Sequence, residues 1–232
     1  MYFNLSNQKS LGMSKDKRGE SGYRVLSVGE EIFNSITHGI GTLISIAALT
    51  ILIVFAAFKG NVWHVVSFTI FGSTMVLLYL SSTLYHSFTK LKVKNLFARF
   101  DHAAIFLLIA GTYTPFVLTI LRGPLGWTLF GIIWSLAIAG VIIRSIFLTR
   151  FHKVMVGIYL AMGWLFLIAI IPMVKNLPGI SLAFLFIGGA SYSLGVIFYS
   201  WRKLKYGHGI WHLFVLAGSI MHFFSVLYSL KM

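Results

Sequence analysis

Residues 36–58 read ITHGIGTLISIAALTILIVFAAF, with no Lys, Arg, Asp or Glu among them. A hydrocarbon core about 30 Å thick needs roughly 20 consecutive apolar residues in helical form, and this stretch supplies them. Six further stretches of the same kind follow, at about 62–86, 100–121, 125–147, 154–174, 180–200 and 208–230. They lack the alternation of barrel strands and are too long for them, so the expected fold class is all-α integral membrane, a seven-transmembrane helix bundle. Short breaks rich in Gly, Pro or charge, such as Lys59-Gly60-Asn61 and Arg122-Gly123-Pro124, make sequential helices antiparallel neighbours. The stretch from Lys90 to Arg99 reads as a longer, basic loop. Pro115 and Pro172 are expected to kink the third and fifth helices.

Composition agrees with this reading. Hydrophobic residues make up 58% of the chain and charged residues 10%, against about 45–50% and about 25% in soluble domains. The formal net charge of +14 resides in short clusters between apolar runs, not along one soluble face, which excludes nucleic acid as a partner. With no cysteine, disulfides and thiolate metal sites are impossible. Residues 1–30 are polar and Ser/Gly/Lys-rich, and read as a disordered cytoplasmic tail ahead of a seven-helix membrane domain at 31–232.

Basic residues set the expected orientation. The tail and the alternate loops on its side hold 15 Lys and Arg, whereas the other side holds 4, namely Lys59, Arg122, Lys175 and Lys231. The positive-inside rule places the N-terminus in the cytoplasm and the C-terminus outside.

The chemistry-bearing residues then gather at one depth. Asp101 is the single acid beyond the approach to the first helix, and it opens the third helix in ARFDHAAIF. An ionisable group at a membrane helix is costly to keep, so it is a functional candidate, with a helix-capping role as the alternative. His86 ends the second helix in SSTLYH, and His208 and His212 open the seventh in HGIWH. By the topology above, all four reach the cytoplasmic interface. A spacing of four residues puts His208 and His212 on one helical face, which suits two ligands of one metal. A third His from another helix would leave a tetrahedral zinc with one open position, as in catalytic sites. Interfacial histidines without metal are the plainer alternative. Ser82 lies one turn before His86 and shares its face, within reach of a water or of the His86 ring.

Other histidines are secondary candidates. His38 and His102 lie near the same interface, but Asp101 and His102 point about 100° apart and do not readily aim at one ion. His222 sits deeper in the last helix, where a hydrogen-bonded core histidine is expected. His64 belongs to the opposite interface.

The segments SSTLYH, FDHAAIF and HGIWHLFVLAGSIMHFF, with the opening EEIFNSITHGIG, resemble the signatures of the hemolysin III proteins. These are bacterial members of the progestin and adipoQ receptor family, which includes the adiponectin receptors. The resemblance covers roughly residues 29 to 232. It implies a zinc ion held by His86, His208 and His212, with Asp101 acting through a water and Ser82 completing the motif. It also implies kinship with membrane hydrolases such as the alkaline ceramidases. The chain departs from the eukaryotic receptors in its short N-terminal tail and in carrying His102 after the aspartate.

The expected function is a zinc-dependent intramembrane hydrolase of a lipid amide or ester bond, multi-pass in the plasma membrane, with its metal site near the cytoplasmic face. Membrane lipid is the expected partner. The rivals are a non-catalytic, zinc-stabilised receptor or signalling protein, and a pore-forming cytolysin. Against a pore, no helix carries a polar stripe able to line a water-filled channel.

Overall fold

The computed structural model describes residues 26–148, 151–201 and 203–230. Among these, seven helices are long and apolar enough to cross a membrane, and there are no strands. They are α1 (Val28–Lys59), α2 (Val62–Ser87), α3 (Leu91–Pro115, extended by a π-helical turn Phe116–Ile120), α4 (Pro124–Ile146), α5 (His152–Trp164, Leu165–Ala169 and Ile170–Asn176), α6 (Gly179–Ser200) and α7 (Gly207–Ser229). Residues 1–25, the bulk of the expected tail, lie outside the described residues.

Two boundaries differ from the sequence reading. α1 starts at Val28, not near residue 36, because Ser27 and Glu30 form a capping box. The Ser27 hydroxyl accepts from the Glu30 amide at 3.3 Å, and the Glu30 carboxylate accepts from the Ser27 amide at 2.9 Å. The stretch read as a basic loop is instead the first part of α3, which begins at Leu91. Leu91, Leu96 and Phe100 face outward there, while neighbouring lysines can carry their charge towards the interface on apolar stems. Charge therefore did not end the helix.

Both prolines mark irregular backbone. Pro115 ends the regular part of α3 before the π-helical turn. Upstream of Pro172, α5 tightens into 3-10 geometry over Leu165–Ala169. Proline lacks an amide donor and its ring crowds the carbonyl four residues earlier, which disfavours regular α-helix at that turn. Tyr113 of α3 fills the resulting break: its hydroxyl donates to the Met162 carbonyl at 2.7 Å and accepts from the Phe166 amide at 2.8 Å.

The helices pack in sequence from α1 to α4 and from α6 to α7, and α1 closes the ring against α7. α5 stands apart, approaching α3 and α6 at few positions. Small residues allow the close approaches. A side chain at Gly188 would collide with His222 across the α6–α7 contact, and one at Gly111 with Thr74 across α2–α3. The loose placement of α5 leaves a cavity of about 150 Å³ inside the bundle.

Candidate metal centre

His86, His208 and His212 bring one ring nitrogen each within 4.8 Å of one another, at the end of α2 and the start of α7. Ring centroids are 4.6 Å apart for His208 and His212, and 5.2 and 5.1 Å from His86 to the two. His86 and His212 are almost fully buried. These three residues can hold a metal ion.

The hydrogen bonds around them suit that role. His86 Nδ1 lies 2.6 Å from Glu31 Oε2. A carboxylate only accepts, so Nδ1 carries the hydrogen and Nε2 keeps its lone pair. His86 Nε2 is buried and makes no hydrogen bond. A ring nitrogen left so in an apolar interior is expensive, and a cation on it removes the penalty. On the other helix, the single Thr37 hydroxyl hydrogen goes to the Asn34 carbonyl at 3.0 Å, so Thr37 accepts from His212 Nδ1 at 3.4 Å. The Nε2 lone pair of His212 is thereby kept for a ligand. Imidazole ligands of this kind fit zinc better than the oxygen-seeking magnesium or calcium.

His38 stacks on His212 with centroids 3.5 Å apart, and meets Tyr79 edge-on at 5.0 Å. Asp101 is buried and stands outside the three-histidine group, yet it lines the cavity together with His38, His208 and His212. Ser82 is fully buried and its hydroxyl makes no hydrogen bond, so the contact with the His86 ring that the spacing allows is not made; Glu31 takes that ring nitrogen instead. The cavity runs from this polar end past Leu108, Phe116 and Val117 to Leu121, Leu129 and Met173. Beyond the histidine end its wall is mostly aliphatic and aromatic.

The secondary candidates separate as well. His102 lines the cavity beside Asp101, but its Nδ1 donates to the Ala98 carbonyl of its own helix at 2.7 Å and stays 3.7 Å from the Asp101 carboxylate. Tyr159 of α5 donates to the His102 carbonyl at 3.0 Å, and Arg144 of α4 donates to the Tyr159 hydroxyl at 3.4 Å and to the Leu148 carbonyl at 2.7 Å. Arg144 is fully buried, so it braces this corner of the bundle and does not add to the exposed loop charge on the N-terminal side. His222 donates through Nε2 to the Leu185 carbonyl at 3.2 Å, as a core histidine should. His64 sits at the other end of α2 and caps its first turn. The His152 side chain lies outside the described residues.

The pattern of the haemolysin-III-related family matches residues 26–223. This chain belongs to that family. Hemolysin-3 of Bacillus cereus is similar at 56% identity over 201 residues, which span 87% of this chain and 92% of its own. A hemolysin-3 homolog of Bacillus subtilis (strain 168) is 53% identical over 204 residues, 88% of this chain and 96% of its own. More distantly, the human monocyte to macrophage differentiation factor is 29% identical over 174 residues, 72% of each chain. With seven apolar helices, this haemolysin III protein is a multi-pass membrane protein.

Sequence reasoning missed Glu31, Lys94, Arg144 and Tyr159. For Glu31 a signal existed: Glu31, Asn34 and His38 are spaced by three and four residues, which places them on one helical face. Glu31 lies in the polar approach to the first apolar run, where a solvated helix end explains an acid equally well.

Proposed function

We propose that this haemolysin III protein is a zinc-dependent hydrolase that cleaves an amide or ester bond of a lipid from within the bilayer. The observation that carries the reading is that Asp101 lines one mostly apolar cavity together with His208 and His212, two of the three histidines that could hold a metal ion. Zinc bound by His86, His208 and His212 would polarise the lipid carbonyl and lower the pKa of water towards about 7. Asp101 accepts a proton as water adds to the carbonyl carbon, and returns it to the leaving nitrogen or oxygen as the carbon–heteroatom bond breaks. The Ser82 hydroxyl donates to oxygen charge that develops in that step. The cavity takes the acyl chain and excludes bulk water.

The basic bias of the loops supports placing this end of the bundle at the cytoplasmic face of the plasma membrane, with the C-terminus outside. The name of the Bacillus cereus relative suggests cytolysis as a second reading. A mostly apolar wall beyond the histidine end favours a lipid tail over an ion path.

The test separates metal binding from chemistry. Asp101→Asn should keep zinc and lower lipid hydrolysis by about 10²–10⁴-fold, the usual contribution of a positioned base. His208→Ala should lose both. Full hydrolysis by both variants contradicts the assignment. Zinc retained by wild type without any lipid cleavage points to the zinc-stabilised signalling protein instead.

A further inference from the structure

Glu31 is placed to do more than join helices. One carboxylate oxygen holds His86 Nδ1 at 2.6 Å, and the other lies 3.0 Å from Lys94 Nζ. Three elements thus meet at one carboxylate: α1 supplies Glu31, α2 the candidate ligand His86, and the start of α3 the lysine. Lys94 is anchored independently, donating to the Tyr85 carbonyl at 3.1 Å and lying over the Tyr85 ring at 4.7 Å. It therefore holds the carboxylate oxygen that His86 does not use. The His86 side chain is fully buried whereas that of Glu31 is 22% exposed, so the carboxylate stands at the rim and the imidazole inside.

We infer that Glu31 is a positioning residue of the metal centre: it fixes the His86 tautomer and ring plane so that Nε2 presents its lone pair to the ion, and its charge raises the donor strength of that nitrogen. Ligating histidines commonly donate their second ring N–H to a carboxylate, which sets orientation and basicity. Here that hydrogen bond is already made, and the nitrogen opposite it is the buried one that makes none. This inference rests on the metal reading but not on hydrolysis. The competing explanation is that Glu31 serves only as half of an ion pair tying α1 to α3. In that case removing Glu31 and removing Lys94 must have the same consequence.

Full-length protein, purified in detergent and shown monodisperse, is loaded with cobalt(II) or zinc, and affinity is read by competition with a chromophoric chelator. Glu31→Gln should weaken metal affinity about 10–100-fold, the usual loss on removing such a carboxylate, and should shift the cobalt visible spectrum. Glutamine has lost the charge, and its amide N–H₂ can donate to Nδ1 and so favour the wrong tautomer. Lys94→Met should lower thermal stability yet leave the affinity and spectrum near wild type, because the Glu31–His86 bond survives. Glu31→Asp keeps the charge on a shorter arm and should bind with intermediate affinity and a shifted spectrum. It is the variant to read if Glu31→Gln does not fold. Wild-type affinity and spectrum in the Glu31 variants would overturn the inference, as would an equal loss in Lys94→Met. A wild type that takes up neither ion overturns the metal reading and this inference together.

Discussion

The imidazole of His38 lies flat on that of His212, with ring centroids 3.5 Å apart and planes 11° from parallel. His38 is buried and both of its ring nitrogens make no hydrogen bond, so its visible contribution is the face it offers to a candidate metal ligand. Removing the ring opens a void beside His212. His38→Ala is expected to destabilise the protein by about 1–3 kcal/mol, in the range of buried truncations, and to weaken zinc binding. His38→Phe restores the stacked face and should recover most of the stability. Thermal unfolding with and without zinc checks both. Should His38→Phe fare no better than His38→Ala, the ring nitrogens matter and the stacking account is wrong.

Gly189 lines the cavity, and a Cβ there would meet Trp164 at 3.6 Å, an ordinary contact. Gly189→Leu should therefore fold normally, helped by about 0.8–1 kcal/mol of helix propensity. It narrows the space without touching the histidines. Zinc content should remain at the wild-type level, while cleavage of long-chain lipids should fall more than cleavage of short-chain ones. An unchanged chain-length profile would show that the acyl chain lies elsewhere.

Orientation can be read without any knowledge of chemistry. A tag after Met232 is expected to be accessible from outside intact cells, and a tag before Tyr2 only after permeabilisation, because Lys and Arg still stand 14 to 4 across the two sides once the buried Arg144 is set aside. The opposite pattern would move the metal centre to the outer face.

The fold was legible because its signal is redundant: each apolar run meets the length that lipid demands, and no other architecture uses seven of them. The histidine cluster was legible for a related reason. Antiparallel helices of matched length bring the end of α2 and the start of α7 to one depth whatever their lateral order. Lateral order is the part that apolar periodicity in lipid does not encode, since the outward and inward faces are both hydrophobic. That is why Glu31 escaped notice. Its partners, His86 and Lys94, lie 55 and 63 positions further along the chain, and only the packing of α1 against α2, and of α2 against α3, shows that they meet. Polar residues mask two helix starts in the sequence. Ser27 and Glu30 cap α1 in a recognisable Ser-x-x-Glu pattern, and the lysines of α3 sit on a helix whose apolar side continues to Leu91.

The most direct measurement is free fatty acid released from lipid amides and esters by the purified protein in lipid nanodiscs, followed while bound zinc is removed by a chelator and then restored. About one zinc per chain is expected, with release that falls in proportion to zinc removed and recovers on add-back. Fatty acid release that persists after the metal is gone, or a zinc-replete protein that releases none, would contradict it.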